Sequence, residues 1–358
     1  MLISVILLLY FLIIQFFANN AKNYINKGLP YFVLLLSFII LNLVRIYGQS
    51  IFPDIPNYKY IFDQIYPISF VIKSGYGLYE YGANVDVGYM TFISVFKFFS
   101  SNFSFFLFFV SIIELLVFYF FCKKYKISVV NAFPIYISLT YLTFQIGMLR
   151  QAIAFCFFLL ALIYINRKIV YIFFVLLGAT FHSSILFCFI LIWSDRFVNR
   201  KFFYVIFSFS LVLYLLKIDI INNFVSFLGF EKEFQAARVG FYMNVDRPNS
   251  FLGIGFWDRL LLFILMNIVY ADLLVKNKIN KYNNLIYNLG ISVILLQMIF
   301  FSSPTITSRL RYFIVIFPLI FLSEYIFSES KSRLKWVYQF LFFIYLLMYL
   351  SFQATYLV

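Results

Sequence analysis

Arginine is the residue type whose placement in this sequence first suggests chemistry. Arg150 and Gln151 open one apolar run, and His182, the only histidine of the chain, ends the next. A guanidinium at a helix start joins a bidentate positive fork to free backbone N–H groups, which together make an anion site. The alternative is an arginine that snorkels to lipid headgroups. Gln151 beside it is a second polar group that is costly at membrane depth, and it favours a site. A neutral imidazole such as His182 can take a proton from a hydroxyl as a general base. Its bland counterpart is a histidine bonded to a backbone carbonyl within a bundle. Asp258-Arg259 at another helix start reads either as a partner pair or as a base with its clamp.

A second arginine signal is Ser302 to Tyr312, SSPTITSRLRY, a hydroxyl-rich turn ending in Arg309 and Arg311. Pyrophosphate suits that composition. The two arginines stand two apart, so one helical face cannot present both. One faces the site and the other a headgroup or carboxylate. Upstream, the segment 48–88 carries Asp54, Asp63, Glu80 and Asp86 among tyrosines running from Tyr58 to Tyr89. Tyrosine with carboxylates suits sugars, through flat apolar faces and hydroxyl-accepting oxygens. Tyr58, Asp63 and Arg259 are the sugar-binding candidates, and Asp54 joins His182 and Asp258 as a candidate base. An interfacial aromatic belt is the competing account of the tyrosines. GxxxxGK[ST], GxGxxG, HExxH, CxxC and a strict DxD are all absent, so no cofactor and no metal are expected. Cys122, Cys156 and Cys188 have no metal spacing and predict no disulfide.

The elements that must position these groups are apolar helices. The chain has 358 residues, 64% hydrophobic and 12% charged, with 53 Phe and 29 Tyr. That charge fraction is about half that of ordinary soluble domains. Apolar runs cover roughly 2–18, 30–47, 103–121, 129–146, 149–165, 169–181, 183–194, 202–217, 258–275, 283–301, 306–326 and 336–355. They are continuous and do not alternate, which predicts an all-α, polytopic transmembrane bundle of about 10 to 12 segments and excludes a β-barrel. The whole chain, 1–358, reads as a single integral membrane domain, with 48–88 (including an interfacial helix from Gly88) and 219–257 as external segments. Met1 to Phe17 reads as a retained first helix.

Charge sorts the two sides. A net charge of +14 would suggest nucleic acid in a soluble protein, but the positive-inside rule accounts for most of it here, and no nucleic-acid partner is expected. With the lysine clusters placed inside, 12 Lys and 4 Arg lie inside and 5 Lys and 7 Arg outside. The outer set is arginine-rich against that rule, which points to phosphate or carboxylate binding on the outer face. Residues 169–194 begin and end at basic clusters, so both ends lie inside. Two limbs of about 13 residues reach about 20 Å each, short of a ~30 Å hydrocarbon core. The segment is therefore expected to fold as two short, re-entrant-like limbs, 169–181 and 183–194, with His182 near the turn.

Arg150-Gln151-x-x-Ala154, the short helix pair with Phe181-His182-x-Ser184, and Asp54 and Tyr58 upstream resemble the EpsG-like branch of the Wzy polysaccharide polymerases. Arg309 to Tyr312 is similar to that family's late arginine segment. The resemblance implies a GT-C-like membrane enzyme that needs no nucleotide. It would join undecaprenyl-pyrophosphate-linked oligosaccharide repeats of O-antigen or exopolysaccharide on the outer face of the cytoplasmic (inner) membrane. Arg150, Gln151, Arg309 and Arg311 would hold the pyrophosphate. Membrane lipids and a chain-length regulator protein are the other partners it implies. A lipid-linked oligosaccharide flippase or another polytopic transporter is the rival class. Such proteins need a polar cavity through the bilayer, whereas the polar residues here collect on one side.

Overall fold

The computed structural model describes residues 28–47, 54–75, 77–78, 85–137, 148–196, 200–216, 218, 254–300 and 316–328. Among them the fold is all-helical, with thirteen helices. In chain order these are α1 (Leu29–Tyr47), α2 (Asp54–Gln64), α3 (Ile68–Ser74), α4 (Val87–Phe96), α5 (Phe103–Tyr125), α6 (Val129–Ile135), α7 (Leu149–Ile163), α8 (Lys168–Ala179), a 310 helix (Ser183–Trp193), α9 (Arg200–Leu215), α10 (Ile254–Val275), α11 (Lys281–Ile299) and α12 (Ile316–Ser328). The predicted first and last apolar runs lie outside the described residues. Among these helices, α5 is long and apolar enough to cross a membrane, and several shorter apolar helices accompany it. The chain divides into two compact units, residues 1–192 with 326–358, and residues 193–325.

In the first unit α7 packs against both α5 and α8. Asn102 caps α5 by accepting from the Phe105 N–H at 3.0 Å, an N-cap that satisfies one orphan donor. Lys126 ends α5 in the left-handed region with φ 55°. Tyr125 donates its hydroxyl to the Leu162 carbonyl, tying the end of α5 to the end of α7. A Cβ on Gly178 would come within 3.0 Å of the Phe157 Cβ and 3.3 Å of the Ala154 carbonyl oxygen. Glycine there is what lets α8 lie directly on α7.

The two expected limbs are present, and they pair. The Tyr171 hydroxyl donates to the Cys188 carbonyl at 2.6 Å, and the Lys168 ammonium to the Ile192 carbonyl at 2.5 Å. Contacts 171 to 188 and 168 to 192 define an antiparallel hairpin whose turn is Thr180 to His182. The second limb is a 310 helix of 11 residues. At about 2.0 Å per residue it spans about 22 Å, against about 18 Å for the 12 residues of α8. The tighter winding stretches a short limb, and both remain short of a ~30 Å core.

The segment 48–88, expected as an external loop, is largely helical where it is described. Asp54 stands in the first turn of α2, and Ile55, Tyr58 and Phe62 are buried at i, i+3 and i+7. That periodicity buries one face and makes a helix of what composition alone marks as loop. Lys97, just after α4, donates to the Ile65 carbonyl at 2.8 Å and lies over the Phe62 ring at 4.7 Å. It holds the end of α2 against α4.

Outward faces are apolar. Ile169, Ile172, Phe173 and Leu176 form an exposed stripe on α8, and Phe202, Val205, Phe209 and Val212 form one on α9. Trp257, Leu261, Ile264 and Ile268 do the same on α10. Continuous apolar stripes of this extent are rare on monomers in water and natural against hydrocarbon.

In the second unit α11 packs against α9 and α10. Asn280 caps it, accepting from the Tyr282 and Asn283 N–H groups. Its buried polar side chains form a ladder. Tyr270 donates to Asn284 at 2.9 Å and Tyr287 to Asn267 at 2.8 Å, with the two phenol rings stacked at 3.9 Å. The Asn284 amide donates to the Arg196 carbonyl at 3.0 Å, and that of Asn288 to the Ser194 and Arg196 carbonyls at 2.8 and 2.7 Å.

Candidate functional site at Arg150

Four helix starts converge in the first unit. Arg150 lies in the first turn of α7, Asp86 is the N-cap of α4, Asp54 begins α2, and His182 and Ser183 lead the 310 helix. Neither Asp86 nor Met148, the N-caps of α4 and α7, makes a side-chain capping bond. The start of α4 spends its Gly88 N–H on the Thr180 carbonyl, whereas the start of α7 lends its positive potential to the space before it.

The Arg150 guanidinium donates to the Asp86 carboxylate at 2.6 Å, with the two side chains 26% and 28% exposed. The Tyr58 hydroxyl lies close enough to the guanidinium to interact with it. The Arg150 Nε is buried without a hydrogen-bond partner, so the pair with Asp86 leaves donor capacity unused. Burial pushes the Tyr58 hydroxyl pKa up, and Arg150 opposes that rise. Asp54 is exposed as a residue, yet its carboxyl loses hydration against the helices. That loss raises its pKa, and the nearby Arg150 charge lowers it in part.

His182 and Gln151 form the inner wall. The His182 Nε2 lies 3.1 Å from the Gln151 amide nitrogen, and its Nδ1 lies 2.8 Å from the Ser184 hydroxyl. With Gln151 donating, Nε2 is the acceptor and Nδ1–H donates to Ser184. With the amide turned over, Nε2–H donates to Gln151 and Nδ1 accepts from the Ser184 hydroxyl or its N–H at 3.2 Å. Either way both ring nitrogens are engaged. Gln151 is 3% exposed, and the amide atom turned away from His182, Oε1 as placed, has no partner, so in either orientation a buried polar atom is left for a ligand.

Glycine joins the two halves of the site. The Gly88 N–H donates to the Thr180 carbonyl at 2.8 Å. A Cβ on Gly88 would meet the Thr180 carbonyl carbon at 2.9 Å and its Oγ1 at 2.2 Å. Only glycine allows the start of α4, with Asp86, to sit on the turn that carries His182.

Of the residues singled out from sequence, Arg150, Gln151, His182, Asp54 and Tyr58 come together. Tyr58 is buried with its ring edge-on to Tyr89 at 5.9 Å, so it offers the site its hydroxyl. Asp63 stands nine residues along α2 from Asp54, about 13 Å down the axis, beside Lys97. Asp258 and Arg259 lie in the first turns of α10 in the second unit, both half-buried. Arg309, Arg311 and most of the 219–257 segment lie outside the described residues. Among the described residues no three His, Cys, Asp or Glu side chains gather as a metal-ligand set.

Asp86 and Gly88 are site residues that composition did not single out. Asp86 was one carboxylate among several in a tyrosine-rich segment. The usable signal was its place two residues before a glycine at the start of an apolar helix.

No curated protein sequence and no solved structure matches the chain. The model of the EpsG family matches residues 31–357.

Proposed function

The chain belongs to the EpsG family, a membrane-associated family linked to glycosyltransferase-like polysaccharide polymerases, and from that premise we propose that it polymerises undecaprenyl-pyrophosphate-linked oligosaccharide repeats. It does so as a polytopic protein of the cytoplasmic membrane, by block glycosyl transfer at its outer face. The observation that carries this reading is the Arg150 guanidinium at the meeting of four helix starts, paired with Asp86 and retaining an unused Nε donor. The apolar outward stripes on α8, α9 and α10 support the membrane placement.

The proposed chemistry uses energy already present in the donor. Pyrophosphate displaces Asp86 from Arg150 and lies at the start of α7, where the helix dipole favours an anion. A hydroxyl of the acceptor sugar attacks the anomeric carbon of the donor. The bond from that carbon to the phosphate oxygen breaks, the glycosidic bond forms, and lipid pyrophosphate leaves. Charge developing on the leaving oxygen is stabilised by Arg150 and the start of α7. Asp54 takes the hydroxyl proton, because its raised carboxyl is a better proton acceptor than an unperturbed one. Asp86 orients Arg150 in the empty site, and His182 orients Gln151. Arg309 and Arg311 remain candidates for the second phosphate. Asp258 and Arg259 remain candidates on the acceptor side, as Asp63 does for the sugars.

The test is the lipid-linked intermediate left by Arg150→Ala at matched membrane expression. The proposal predicts single repeat units on the outer face and no long polymer. Normal polymer would sink the site, and units trapped on the inner face would assign the chain to flipping.

A further inference from the structure

Beneath Arg150 the first unit holds an apolar groove, and we propose that it takes the hydrocarbon chain of the lipid whose pyrophosphate lies at the guanidinium. This rests on the reading of Arg150 as the pyrophosphate clamp. The groove has a volume of about 120 Å³ and runs between α5 and α7. Val110, Ile113 and Val117 line it from α5, and Ile153, Phe157 and Leu160 from α7. Each set spans eight residues of helix, so each wall runs about 10 Å along its axis.

The position of the groove connects it to the head site. Ile153 is one helical turn beyond Arg150, and Phe181, which also lines the groove, directly precedes His182. From there the walls lead along α7 away from the helix starts. Val110 and Ile153 are buried and make the floor, whereas Ile113, Val117, Phe157 and Leu160 are half-buried and make the mouth. The groove thus opens to the flank of the unit, where Phe109 and Leu116 of α5 are exposed. Its lining is apolar throughout, even at Glu114, which is fully buried. An anion site and an apolar groove in series on one helix match an amphiphile with a charged head and a hydrocarbon tail. Neither free pyrophosphate nor a sugar would use the lower part. Every methylene placed there adds to affinity.

The experiment uses the full chain in nanodiscs, with inorganic pyrophosphate, farnesyl pyrophosphate and farnesol as probes. Wild-type protein binds farnesyl pyrophosphate more tightly than inorganic pyrophosphate. Val117→Phe fills the mouth and weakens farnesyl pyrophosphate about tenfold, while inorganic pyrophosphate binds unchanged. Leu160→Phe plugs the opposite wall and does the same. Arg150→Ala weakens both pyrophosphates. If neither plug separates the two pyrophosphate probes, ordinary bilayer lipid fills the groove and the proposal is overturned. If wild-type protein binds farnesol in a Val117-sensitive way but not inorganic pyrophosphate, the Arg150 clamp fails and the groove stands.

Discussion

Two polar regions of this apolar molecule invite comparison. One surrounds Arg150 in the first unit, and the other is the ladder along α11 in the second. The ladder is neutral, made of amides and phenols. Asn284 and Asn288 spend their donors on the carbonyls of Ser194 and Arg196. It holds helices together and fixes the backbone of Ser194 to Arg196. The Arg150 region is charged, its helix starts lack side-chain caps, and its Arg150 Nε and Gln151 Oε1 point at no protein partner. The Asn288 Oδ1 is also without a partner, so an orphan atom alone does not mark a site. Charge, convergent helix starts and orphan donors together do. Buried polarity in a membrane protein is thus of two kinds, one turned inward to the fold and one held ready for a ligand.

Substitutions should separate the two kinds. The largest effect is expected from Arg150→Ala, which should lower polymerisation by about 10² to 10³-fold, the usual loss for a group that stabilises a developing oxyanion. Arg150→Lys should recover little, because an ammonium cannot reproduce the fork. Both are read as polymer length at matched expression. Asp86→Ala should cost about tenfold in rate, and the Arg150→Ala/Asp86→Ala pair should be far less than additive because the two residues act as a unit. Additive losses would mean that Asp86 does not act through Arg150. Gly88→Ala should reduce activity by forcing the start of α4 off the Thr180 turn, and should lower the melting temperature as well.

The ladder should respond in the opposite way. Asn288→Ala removes the amide donor from the buried Ser194 carbonyl and leaves the Arg196 carbonyl to Asn284 alone, and should destabilise the protein by about 1–3 kcal/mol, measured by thermal melting in detergent. Its rate per folded molecule should stay the same. Loss of rate without loss of stability would place the ladder in the chemistry. The smallest effect concerns pH. Folding raises the Asp54 carboxyl, so the protonated form is favoured in the native state. Its contribution to stability is full below the ordinary carboxylate range and is lost as pH rises through the raised value. Asp54→Asn should flatten that part of the stability profile.

The contrast also shows what was legible in sequence. Arg150, Gln151 and His182 could be read because polar groups that interrupt apolar runs stand out. The hairpin of α8 and the 310 helix could be read because both ends of 169–194 are basic and the run is too short for two full spans. Asp86 could not, because one carboxylate looks like another until a backbone contact such as Gly88 to Thr180 selects it. The helix α2 was hidden by its polar composition, although Ile55, Tyr58 and Phe62 carry the period.

The central claim is that Arg150 holds the pyrophosphate of a lipid-linked donor. Its most direct measurement uses purified full-length chain in nanodiscs with a lipid-linked repeat unit as sole substrate and no nucleotide. The account predicts a polymer ladder with release of lipid pyrophosphate from wild-type protein, and neither from an Arg150→Ala protein of unchanged melting temperature. An equal ladder from both proteins would contradict it.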